Sequence, residues 1–227
     1  MNPALAGVAI VVIVGAVVAG SARNARTAIL GLVVALVAAP LLADPPAAPL
    51  GLAARLVAAV LAGYLLWVAT RGPAARTGGT LVGWPTEAFL AIAAAVVGYV
   101  SHGLGAPGLG PPVAAAAGFA LAALAIAPLF VGRDVLRLGV GAVLLLQAAI
   151  LVRQALDGPA TDLEQLILAT LTIALGGAVA VITVASRAAG GLSVADQVGP
   201  AGRRPRQPDA HRPTDRELGR DRGPARR

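Results

Sequence analysis

Seven long apolar runs, each nearly free of charge, constrain what this chain can fold into more than any other feature. A helix needs about 20 consecutive apolar residues to cross the hydrocarbon core of a bilayer. Seven such spans leave no room in 227 residues for a soluble catalytic domain. The sequence therefore predicts an all-α fold, a polytopic transmembrane bundle of about seven helices in residues 1–186. The runs cover residues 3–20, 27–43, 53–70, 81–100, 112–131, 138–152 and 163–186.

The start of the fourth span can be placed in two ways. A start at Leu81 would put Glu87 more than a turn inside the membrane, where a carboxylate could relay protons. A start near Pro85 would instead leave Glu87 at the membrane interface, facing the free N–H groups of the first turn, because proline suits that position. The later start is favoured, and both interpretations stay open at this point.

The arginines alternate between loops, which predicts the orientation of the bundle. The loops after the first, third and fifth spans carry them, whereas the opposite loops are mostly acidic, with Arg55 and Arg153 placed near helix ends. We therefore predict a cell inner or plasma membrane protein with an external N-terminus and a cytoplasmic C-terminus. The loop arginines are Arg23, Arg26, Arg71, Arg76, Arg133 and Arg137, and the acidic residues opposite are Asp44, Asp157, Asp162 and Glu164.

Residues 187–227 form a second, polar region with ten arginines and five acidic residues, hence a net charge of +5. The segment nearly lacks large apolar residues, so it cannot bury enough surface to offset the entropy of ordering. We expect a disordered cytoplasmic tail. Adhesion to anionic lipid headgroups is one role for it, but the five acidic residues favour an inert extension.

Few residues are candidates for chemistry. Cysteine is absent, and no phosphate-binding glycine loop, paired histidine or serine nucleophile motif is found. We thus predict no catalytic residue, cofactor or metal, and no nucleic-acid partner, because no aromatic residue interleaves with the tail arginines. His102 is interpreted as a solvated loop residue. Gln147, in the middle of the sixth span, can hydrogen-bond between helices but cannot exchange a proton near neutral pH.

Two further patterns concern packing and transport. The aromatic residues near helix ends predict an interfacial belt, and scattered glycines permit close helix packing. No span shows a polar stripe that would line a pathway, which weighs against a stand-alone transporter. The aromatic residues are Tyr64, Trp67, Trp84 and Tyr99.

One stretch points to a family. Residues 131–186 contain the loop Arg133-Asp134-Val135-Leu136-Arg137, then a helix with Gly141 one turn on, a short loop and a helix of small and apolar residues. This stretch resembles the last two helices of the K-type small membrane subunits of NADH:quinone oxidoreductase and of cation/proton antiporter complexes, and hydrogenase-4 component E. Residues 19–36, AGSARNARTAILGLVVAL, are similar to the Arg-Asn loop of the J-type subunit and of component E.

The resemblance implies a subunit of a redox-linked or antiporter-type proton-translocating complex, with other membrane subunits as partners. It also implies intramembrane carboxylates for proton transfer, yet the matching positions are Val143 for K-type subunits and Gln147 for component E. The expected role is therefore a non-catalytic subunit within what could be an oxidoreductase complex. A stand-alone small transporter or a membrane assembly factor is the alternative.

The orientation can be tested with reporters fused after Arg227. We expect a reporter that works only in the cytoplasm to be active and one that works only in the periplasm to be silent, because the arginine-rich loops stay inside. The opposite pattern would reverse the predicted topology.

Overall fold

Seven long helices make up the part of the protein that the structure describes. The computed structural model describes residues 3–45, 48–71, 83–104, 108–130 and 134–188, and this part of the chain contains no strand. All seven helices are long and apolar enough to cross a membrane, so the predicted membrane bundle is confirmed. They are α1 (Pro3–Ser21), α2 (Ala25–Ala38, continued by a 3₁₀ turn Ala39–Leu42), α3 (Pro49–Ala69), α4 (Trp84–Ser101), α5 (Pro112–Phe130), α6 (Val135–Asp157) and α7 (Asp162–Ala188).

Polar caps determine where several helices begin. Asn24 and Asp134 precede α2 and α6, and each side chain accepts a hydrogen bond from the backbone N–H two residues on. At α7, the N–H of Thr161 donates to the Glu164 carboxylate at 2.8 Å and the N–H of Glu164 donates to the Thr161 hydroxyl at 3.4 Å. This reciprocal capping box satisfies donors that a helix start leaves unpaired.

The largest shifts from the predicted span boundaries occur in α6 and α3. Helix α6 was expected over residues 138–152, but it starts right after the Asp134 cap and ends at Asp157, where Gly158 follows with a φ of 81° that glycine adopts without steric cost. Helix α3 begins at Pro49 rather than at residue 53. The sequence analysis placed Arg55 and Arg153 near helix ends, whereas in the structure Arg55 lies inside α3 and Arg153 inside α6.

The helices run alternately up and down, so the bundle has two chemically different ends. At the arginine end, where α1, α3, α5 and α7 finish, Arg187 donates to the carbonyl oxygen of Ala69 at 2.7 Å and Arg137 donates to that of Ala22 at 3.3 Å. At the acidic end, Arg153 of α6 pairs with Glu164 of α7 at 2.6 Å. The charge segregation expected from the loops is present, and which end faces the cytoplasm stays a prediction.

Glycines bring the helix backbones into contact, as the sequence suggested. A Cβ added to Gly15 of α1 would lie 2.8 Å from the carbonyl oxygen of Gly31 in α2, and one added to Gly31 would lie 2.7 Å from that of Gly15. A Cβ added to Gly176 of α7 would lie 2.8 Å from the Cβ of Ala62 in α3. Small residues of this kind let helices pack tightly in lipid, where no hydrophobic force drives them together.

The outer surface is apolar. Helix α4 buries only Glu87, Ala91 and Gly98, and large aliphatic side chains are exposed along every one of the seven helices. Such a surface suits a bilayer rather than water. The four predicted belt residues, Tyr64, Trp67, Trp84 and Tyr99, are all exposed near helix ends, as an interfacial belt requires.

The predicted boundary between bundle and tail moves slightly. Helix α7 continues to Ala188, and Arg187, assigned to the tail from sequence, is instead a helical residue that binds the end of α3. The rest of the predicted disordered tail, from residue 189 on, lies outside the described residues.

The contact between α1 and α2 can be tested with a single methyl group. We expect Gly31→Ala to destabilise the bundle by about 1–3 kcal/mol, because the new Cβ would overlap backbone atoms of α1. Gly7→Ala, on the partner helix α1, is the matched control, since a Cβ there meets nothing within 4 Å. Detergent-induced unfolding of the purified protein measures both, and equal stabilities for the two variants would contradict the close packing.

Candidate functional site: a buried arginine–glutamine cluster

Arg55 is the most unusual side chain in the bundle. It lies six residues into α3, about 9 Å along the helix from Pro49, and exposes only 5% of its surface. Its guanidinium donates to the amide oxygen of Gln165 in α7 at 3.2 Å and to that of Gln147 in α6 at 3.4 Å. The guanidinium thus connects three spans within the apolar interior.

Both glutamines are buried with it. Gln147 lies near the middle of α6 and is 2% exposed, and Gln165 lies in the first turn of α7. Across the residues that the structure describes, the Nε2 amide of Gln147 has no hydrogen-bond partner. Gln147 thus lies inside the bundle and accepts a hydrogen bond from another helix, a role that the sequence analysis considered for it.

Within the described ranges, the guanidinium of Arg55 is paired with amides and not with a carboxylate. The ion pairs among the described residues both belong to Arg153, at the acidic end, whereas the hydrogen bonds of Arg55 go to neutral amides. Arginine cannot lose its proton under physiological conditions, so a positive charge stays within the span. A buried ionisable group inside a membrane is a functional candidate because placing it there is costly.

A row of buried polar side chains extends from the cluster along α7. Thr172 and Thr183 follow Gln165 on the buried face, seven and eighteen residues on, and each threonine hydroxyl donates to the carbonyl four residues before it. The buried Gln154 adds an amide two turns from Gln147 on α6. The sequence analysis expected no polar stripe that would line a pathway, and that expectation stays a prediction, because both threonine hydroxyls are satisfied within α7.

Glu87 is the other candidate, and it was expected either inside the membrane or at the membrane interface. The structure gives it features of both positions. Helix α4 begins at Trp84 with Pro85 in its first turn, so the late start is confirmed. However, Glu87 is 4% exposed rather than an interfacial residue at the surface. Its carboxylate lies against Gly20 of α1, where an added Cβ would be 3.4 Å from Oε2.

Arg137, from the family-like loop motif, lies near enough to Glu87 for the two charges to interact. Arg137 is attracted by the charges of Glu87 and Asp134, and it also donates to Ala22 at the end of α1. Asp134 is the N-cap of α6. Arg133 lies outside the described residues. Asp134 thus caps the start of α6 and Arg137 caps the end of α1, and these structural roles explain both residues.

No metal site was predicted, and the described ranges contain no group of three histidine, cysteine or carboxylate side chains that could hold a metal. His102 follows the last residue of α4 and packs against Gly108. It is partly buried rather than a fully solvated loop residue.

Sequence reasoning missed Arg55, Gln165 and Thr172. The position of Pro49 could have indicated Arg55, because proline is favoured in a first helical turn and would have placed this arginine well inside the span. Gln165 and Thr172 carry a weaker signal, their spacing of seven residues, which puts both on one face of a helix.

Comparison of the chain with protein-family models, with curated proteins and with solved structures finds no match in any of the three. The arguments about function therefore depend on the cluster itself.

The cluster predicts energetic coupling between α3 and α6. We expect Arg55→Met and Gln147→Leu each to destabilise the bundle, and the double variant to lose less than the sum by about 0.5–2 kcal/mol, because each change removes the same hydrogen bond. Unfolding in mixed detergent micelles gives the four stabilities. Arg55→Met with Thr183→Val is the control pair and should be additive, since Thr183 lies about 27 Å along α7 from Gln165. Additivity in both cycles would show that the cluster is energetically uncoupled.

Proposed function

We propose that this chain is a non-catalytic integral membrane subunit of a redox-linked or antiporter-type proton-translocating complex, related to hydrogenase-4 component E. One observation carries the proposal. Gln147, which the resemblance aligns with an intramembrane carboxylate of component E, is the residue that hydrogen-bonds to the buried Arg55. The position expected to matter in the family therefore lies in the buried polar cluster of this bundle.

The arrangement also supports a passive role for this chain. A proton relay needs groups that gain and lose protons, and the amides of Gln147 and Gln165 do not titrate near neutral pH. The fixed charge of Arg55 instead sets a positive potential inside the bundle, which acts on charged groups of neighbouring subunits. The titratable residues of the pump would then belong to those subunits.

A second candidate, a stand-alone small transporter, gains support from the buried polar row on α7. Gln165, Thr172 and Thr183 are all buried on α7. Polar side chains that face a bundle interior are typical of substrate pathways. The two candidates differ in whether the chain acts alone.

Purification from native membranes in a mild detergent separates them. The first proposal expects large antiporter-like subunits to copurify, identified by mass spectrometry. The chain purified alone and placed in liposomes should then show no proton flux with a pH-sensitive dye. Flux from the isolated chain, together with no copurifying membrane subunit, would favour the transporter instead.

Variants of Gln147 test the passive role within the assembled complex. Gln147→Leu should leave most proton pumping intact in vesicles, because no proton passes through the amide. Gln147→Glu places a titratable carboxylate beside Arg55, so pumping should acquire a pH dependence that Gln147→Leu lacks. Both are compared with wild type at matched assembly levels. Loss of pumping in an assembled Gln147→Leu complex would show that the side chain is needed for the proton path.

A further inference from the structure

An apolar groove runs along the outer surface of the bundle between α1 and α2. It has a volume of about 380 Å³, within the range of about 300–1,000 Å³ that small-molecule sites occupy. Its walls are aliphatic side chains, Ile10 and Val14 from α1 and Leu30 and Val34 from α2. Between Val18 and Ile10 it follows eight residues of α1, about 12 Å of helix.

Two glycines form the floor of this groove. Gly15 and Gly31 line it from opposite helices, and their backbones touch, since a Cβ on either would lie less than 3 Å from the other's carbonyl oxygen. The depression exists because neither residue has a side chain to fill it. It opens to the surface that faces lipid, because the wall residues Leu30 and Ile10 are more than 60% exposed.

The mouth of the groove is positively charged. Arg23 and Arg26 lie in and just after the turn that joins α1 to α2, at the arginine end, and both are exposed. Arg26 is four residues before Leu30, so it lies one turn along the same face of α2 that forms the groove wall. Aliphatic walls inside the membrane and cations at its surface match the two parts of an anionic phospholipid.

We propose that this groove binds one acyl chain of an anionic phospholipid, with the lipid phosphate held by Arg26 and Arg23. The acyl chain occupies the aliphatic channel over Gly15 and Gly31, and the headgroup stays at the interface. The charge argues against a second copy of the chain. Two copies in one membrane have the same orientation, so their arginine ends would meet at the same level and repel.

The proposal is independent of the proposed function and is tested on the full chain. The protein is purified in a mild nonionic detergent and mixed with equal amounts of phosphatidylglycerol and phosphatidylcholine that carry identical acyl chains. Native mass spectrometry then counts each bound lipid. We expect phosphatidylglycerol to be retained in preference, and Arg26→Gln to reduce that preference about fivefold, the factor that corresponds to one interfacial arginine.

Two matched controls separate the groove from general charge and apolar contact. Arg71→Gln removes an exposed arginine at the same end, one that stacks on Trp67 at 4.1 Å, and should leave the preference unchanged. Leu30→Trp fills the groove and should release both lipids, whereas Ile182→Trp, at a similarly exposed position of α7, should not. The control residues Arg71 and Ile182 do not line the groove. All four substituted positions are exposed, so the variants are expected to fold.

Four results would overturn the proposal. An unchanged lipid preference in Arg26→Gln would remove the headgroup site, and an equal loss in Arg71→Gln would show that the attraction is not local. Retention of both lipids by Leu30→Trp would place the acyl chain elsewhere, as would a dimer in the native spectrum that Leu30→Trp dissolves.

Discussion

The hydrocarbon interior of a bilayer offers no water to pair with backbone polar groups, and each span of this protein answers that constraint by closing its hydrogen bonds within a helix. Once the helices are formed, lipid tails are as apolar as valine or leucine, so burial alone does not drive the helices together. Close contact has to come from shape. The touching glycines of α1 and α2, and the contact of Gly176 with Ala62, supply it.

Polar contacts then select which helices are neighbours. Arg137 and Arg187 each donate to a carbonyl oxygen at the end of another helix, where the last turn leaves acceptors unpaired and the helix dipole is negative. At the acidic end of the bundle, Arg153 near the C-terminus of α6 pairs with Glu164 near the N-terminus of α7. Among the described arginines, Arg55 alone makes its hydrogen bonds within the spans, and its partners are neutral amides. The cluster is thus the part of the bundle where polarity is not explained by a helix end.

The fold was predictable because length and absence of charge are enough to indicate a membrane helix. All seven spans could be deduced in this way, and Pro85 indicated the late start of α4. The partners of Gln147 could not. Arg55 precedes Gln147 and Gln165 by 92 and 110 residues, and no local pattern encodes which of seven helices will pack side by side. Apolar residues occur on all faces of these spans, so periodicity did not single out the buried face of α7.

The long separation between Arg55 and its acceptors has a consequence for biosynthesis. A ribosome adds about 5–20 residues per second, so α3 leaves it roughly 5–20 seconds before both glutamines have been made. During that interval the charge of Arg55 has no amide to bind in the membrane, and an arginine at such a depth disfavours release of an isolated helix into lipid. We therefore expect α3 to stay beside the insertion machinery until α6 and α7 have been made, so that its release into lipid is a late step of assembly.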